Sequence, residues 1–86
     1  MKMPSIQGKI VEYYTRRSVP GAVVIVNDRS TVTDSAGRFS MDVPLGVVTI
    51  KVTHRQFYDY ITSLNITVST AYDIGTITLQ SKVRAL

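Results

Sequence analysis

At 86 residues, with a net charge of +4 and no cysteine, the chain has room for one modest core and excludes a catalytic domain paired with a separate substrate domain. The lack of cysteine excludes a disulfide framework and a thiolate metal site. The basic groups Lys9, Arg29, Arg38, Lys51, Arg55, Lys82 and Arg84 are scattered, with Arg16-Arg17 as a doublet, which does not favour nucleic acid; the longest apolar run, Ala22 to Val26, falls far short of the roughly 20 residues that span a bilayer, so no membrane insertion is expected.

Val, Ile and Thr account for 30 of the 86 residues, a strand-forming composition because β-branched side chains pack well on a pleated surface. The opening residues, Met1 to Gly8, hold neither the apolar stretch nor the cleavage site of a secretory signal. Ile6, Gly8 and Ile10 alternate with Gln7, Lys9 and Val11, predicting a first strand near residues 5–12. Pro20 and Gly21 mark a turn. The run Ala22-Val23-Val24-Ile25-Val26 then reads as a strand covered on both faces, with Val23 and Ile25 assigned to the core.

After the Asn27-Asp28 turn comes Thr33-Asp34-Ser35-Ala36-Gly37-Arg38-Phe39-Ser40. Asp34 can accept a hydrogen bond from the backbone two residues on, and Gly37 can take positive φ, so Asp34 to Gly37 reads as a turn closing a short hairpin between residues 30–33 and 38–41. A calcium loop would need more oxygen ligands at short spacing, and a phosphate loop would need a following helix. Phe39, Met41 and Val43 share a face, and Pro44 and Gly46 make the next turn. Val48, Ile50 and Val52 alternate with Thr49, Lys51 and Thr53; the spacing then breaks between Ile61 and Leu64, predicting a bulge or bend there. Leu64, Ile66 and Val68, and finally Ile77 and Leu79, continue the alternation on either side of the Ser69-Thr70 step.

Seven short strands joined by tight turns predict an all-β, seven-stranded antiparallel Greek-key sandwich rather than a βαβ array, and residues 1–86 are expected to form a single domain. Its expected core is Ile10, Val23, Ile25, Phe39, Met41, Val48, Ile50, Val52, Leu64, Ile66, Ile77 and Leu79.

The chemistry expected of this composition is sparse. His54 is the one histidine, at a strand end beside Arg55, and the six acids fall in turns or on polar faces. No cofactor, metal or catalytic group is expected. The aromatic residues point elsewhere: Tyr13 and Tyr14 end the first strand, while Phe57, Tyr58 and Tyr60 gather after His54. Exposed rings of this kind anchor protein partners or stack on sugar faces, because tyrosine combines apolar area with a polar tip. Open edge strands offer a third kind of contact, self-assembly, with residues 1–5 and 80–86 as candidate strand donors.

Gly8-Lys9-Ile10-Val11, Val19-Pro20-Gly21-Ala22-Val23-Val24-Ile25-Val26, Thr33-Asp34-Ser35-Ala36-Gly37-Arg38-Phe39-Ser40 and Val43-Pro44-Leu45-Gly46-Val47-Val48-Thr49-Ile50-Lys51-Val52 together resemble the carboxypeptidase regulatory-like domain family across residues 6–58. The resemblance implies a transthyretin-like (prealbumin-like) sandwich that is not itself an enzyme, usually extracytoplasmic or at the cell surface. Such domains serve as spacers, stabilisers or binding modules on larger proteins. One departure from the family pattern is Gln56 before Phe57-Tyr58, where a glycine and an aromatic are common.

Overall fold

The computed structural model describes residues 3–82. The strands are β1 (Ser5–Glu12), β2 (Val23–Val26), β3 (Arg29–Val32), β4 (Arg38–Asp42), β5 (Gly46–His54), β6 (Phe57–Ile66) and β7 (Ala71–Leu79), and no helix occurs among the described residues. They form two sheets, one ordered β4-β1-β7 and the other β3-β2-β5-β6, packed face to face as a sandwich.

Pairing is antiparallel except between β1 and β7, which run parallel, from Ser5 opposite Ala71 to Glu12 opposite Leu79. A parallel pair cannot be closed by a hairpin, and here the whole of the other sheet lies between its two strands in sequence. Gly8 sits where this ladder shifts register, and a Cβ there would lie 3.0 Å from the Gly75 carbonyl, an Ile74 side-chain carbon and the Phe39 ring.

The core holds Ile6, Ile10, Val24, Val26, Phe39, Val43, Val48, Ile50, Val52, Ile66, Ile77 and Leu79, with Val19 and Ala22 contributed by the β1–β2 connection. Met41 and Leu64 pack against it half-buried. Val23 and Ile25 are not core residues. Val24 and Val26 pair with the buried Val52 and Ile50, so period two turns Val23 and Ile25 to the outer face. Because both faces of β2 are apolar, hydrophobicity alone does not set its phase.

Two further expectations change. The Asp34–Gly37 turn does not close a hairpin: β3 and β4 belong to different sheets, and the turn carries the chain across the sandwich. The expected break between Ile61 and Leu64 is absent, for Gly46 to Val52 pair without interruption with Ile66 to Tyr60. Ile61 simply faces outward, 62% exposed, while half-buried Thr62 occupies the inward position. The irregularity lies instead between Val52 and His54, beside Tyr58 and Asp59.

Polar anchors hold the crossings. Asp34 Oδ1 accepts the N–H groups of Ala36 and Arg38, both at 2.9 Å, and the Arg38 carbonyl accepts the Asp34 N–H at 3.0 Å. Gly37 takes φ +75° there. Gly21 and Gly46 also take positive φ, beside the exposed Pro20 and Pro44. Between β6 and β7, the Tyr72 hydroxyl accepts the Thr67 and Val68 N–H groups at 3.2 and 3.0 Å. Hydrogen bonds from the Thr67 side chain and then the Val68 backbone hold its pKa below the ordinary 10.0.

Candidate functional site

Tyr13 lies one residue past β1, where its N–H donates to the Leu79 carbonyl at 2.9 Å and so fixes it to the end of β7. The following loop folds back on Glu12, whose carboxylate accepts the Tyr14 and Thr15 N–H groups at 3.0 and 2.8 Å. Those two backbone donors, Tyr14 first, hold the Glu12 carboxyl below its ordinary 4.5. Arg16, at φ +62°, brings its guanidinium to 5.8 Å from the centre of the Tyr13 ring, and Tyr14 meets the same ring edge-on at 5.0 Å.

Beside this loop the chain leaving β7 runs along the start of β6. The Tyr58 N–H donates to the Gln80 carbonyl at 2.9 Å, and the Lys82 N–H to the Gln56 carbonyl at 3.0 Å. Residues 80–82 of the expected donor tail therefore pair within their own chain, while residues 1–2 and 83–86 lie outside the described residues. Beside the register shift at Tyr58 and Asp59 lies a groove of about 280 Å³. Tyr13, Tyr58 and Tyr60 line it, with Asp59, Thr78 and Gln80 as polar companions. Asp59 also meets Lys51 at 3.8 Å, an exposed pair worth little to stability.

The five aromatic residues singled out in the sequence thus divide. Tyr13, Tyr58 and Tyr60 share one groove. Phe57 lines a neighbouring depression of about 290 Å³ with Pro20 and His54, its ring edge-on to the imidazole at 5.1 Å. Tyr14, 78% exposed, lines neither. His54 Nδ1 accepts the Gln56 N–H at 3.1 Å, closing the β5–β6 turn. Asp59 and Gln80 were not singled out in the sequence, since a lone acid on a strand and a lone amide after one carry no local signal.

A broader groove of about 610 Å³ is lined from β1, β4 and β7 and from Thr31 and Val32 of β3, with Gln7, Lys9, Asp34, Arg38, Asp73 and Thr76 among its polar residues. Its two acids already serve the backbone: Asp34 as described, and Asp73 by accepting the Gly75 N–H at 2.9 Å. Among the described residues no three His, Cys, Asp or Glu side chains gather as a metal would need.

The sequence profile of the carboxypeptidase regulatory-like domain matches residues 5–80, and the chain belongs to that family. No match is found among curated proteins. Among solved structures, a type II cohesin–X-dockerin complex from Acetivibrio cellulolyticus contains a chain that is 25% identical, with TM-score 0.72; the match covers 96% of this chain and 61% of that one. The chain therefore spans about 61% of the length of the chain it matches there. A proposed carbohydrate-binding protein from Bacteroides uniformis matches at 16% identity and TM-score 0.74, over 98% of this chain and 44% of its own. A proposed membrane-associated protein of unknown function from Bacteroides fragilis matches at 20% and 0.71, over 99% of this chain and 30% of its own. At those identities the last two show the fold alone.

Proposed function

We propose that the chain is a non-catalytic interaction module, an accessory unit at or outside the cell surface that binds or spaces a protein partner, with the Tyr13–Tyr58–Tyr60 groove as its contact surface. The observation that carries this reading is the convergence on one groove of Tyr13, from the end of β1, with Tyr58 and Tyr60 of β6. Tyr13 and Tyr58 keep 44% and 56% of their surface exposed, so their rings are available to a partner. Family membership and the cohesin–X-dockerin likeness support an interaction role.

A second reading, carbohydrate, is favoured by the polar groups set beside the rings. Asp59 and Gln80 can exchange hydrogen bonds with sugar hydroxyls while a tyrosine face covers the pyranose carbons. A glycan array probed with the intact chain and with Tyr58→Ala separates the two. Binding lost on substitution supports carbohydrate; a blank array removes it. The protein reading then stands or falls on whether photo-crosslinks from position 58 to purified candidate partners exceed those from the exposed Leu45, on another loop.

A further inference from the structure

We propose that the free edge of β6 pairs with the β6 edge of a second copy of this chain, antiparallel about a two-fold axis near Thr62, joining two four-stranded sheets into one of eight strands.

The sandwich has four edge strands, β3, β4, β6 and β7, and three of them carry features that discourage pairing. β3 is 4 residues long and begins with Arg29. β4 is 5 residues long and begins with Arg38, whose N–H and carbonyl are both taken by Asp34. β7 is interrupted by Gly75, at φ +81°, where its ladder with β1 shifts register. β6 differs. It is 10 residues long, pairs regularly with β5 from Tyr60 to Ile66, and over those residues contains no charge, proline or glycine. Among the described residues only its first turn is covered, by the pairing of residues 80–82 with Gln56 to Tyr58.

A run of high β-propensity without charge or proline on an open edge is what edge-to-edge association selects. The sequence also suits its own antiparallel image. An axis at Thr62 sets Tyr60 opposite Leu64 and Ile61 opposite Ser63 of the second copy, which keeps inward with inward and outward with outward. Asp59 then falls opposite Asn65, an amide able to donate to it, so no like charges meet. The contact gains backbone hydrogen bonds along the strand and covers Ile61, now 62% exposed.

Light scattering on a sizing column, over a wide concentration range, tests this with the full chain and with Ile61→Lys. The substitution places a charge beside the axis at an exposed position and leaves the core untouched, which a thermal melt verifies. A dimer whose dissociation constant rises at least ~tenfold in Ile61→Lys supports the pairing. Because the chain has no cysteine, Thr62→Cys supplies a single thiol, and disulfide formation faster than in Tyr14→Cys places position 62 at the axis. A monomer at every concentration overturns the proposal. So does a dimer or growing polymer indifferent to Ile61→Lys, since its contact lies elsewhere.

Discussion

The Thr33 hydroxyl donates to the Val19 carbonyl at 2.6 Å and accepts the Ala22 N–H at 2.9 Å, joining the end of β3 to the connection that feeds β2. Thr33 is 5% exposed, a polar side chain among buried aliphatic ones. Its backbone adds two bonds to the same loop, to Ala22 and Gly21 at 2.9 and 3.1 Å.

Thr33→Val keeps the shape and removes the oxygen, orphaning a buried donor and a buried acceptor, each worth about 1–3 kcal/mol. Thr33→Ser keeps the oxygen and should lose under about 1 kcal/mol, one buried methyl. Urea unfolding of the pair should rank serine well above valine.

Gly37 and Gly21 have nearly the same backbone, φ +75° and +74°, in different surroundings. A Cβ at 37 would stand 2.5 Å from the Ile10 carbonyl oxygen, whereas at 21 nothing lies within 4 Å. Gly21→Ala should therefore cost only the left-handed strain of an L-residue, about 1–2 kcal/mol. Gly37→Ala should cost about 1–3 kcal/mol beyond that, because backbone has to move. Equal melting temperatures for the two would contradict the close approach.

The phase of β2 can be read from two neighbours. Val24→Thr buries an unpartnered hydroxyl and should lose about 1–3 kcal/mol, while Ile25→Thr, on the outer face, should lose under about 1 kcal/mol. Ile50→Ala, in the centre of β5 and 1% exposed, should lose about 2–5 kcal/mol.

Glu12 contributes a pH dependence of known sign. Its carboxyl is held below the ordinary 4.5, chiefly by the Tyr14 and then the Thr15 N–H, so the folded chain prefers the charged form. The resulting stability is present above the unfolded value and is lost as pH falls through the folded one. Urea midpoints measured from neutral pH downward should fall less steeply below pH 4.5 in Glu12→Gln than in the parent chain.

The sequence alone shows much of the strand inventory. Alternation located β1, β4 and β5, because one face of each is apolar and the other polar. It misplaced β2, where Val23 and Ile25 are as apolar as Val24 and Val26, and it placed a break in β6 between Ile61 and Leu64, where the polar Thr62 holds the inward position and Ile61 faces outward. Of the aromatic surface, the residue type was legible and the grouping was not: Tyr13 reaches Tyr58 and Tyr60 only because β1 lies parallel to β7 and the chain beyond β7 pairs with β6.

By itself, the sequence determined the class of fold, the turn-forming residues and the family, since each is written in local spacing and in residues that tolerate particular backbone angles. The tertiary structure alone decided which sheet each strand joins, that the Asp34 turn crosses the sandwich, which tyrosines share a groove and which edge stands open. Those are pairings between segments distant in the chain, settled by the packing of two sheets against one core, and no local period encodes them.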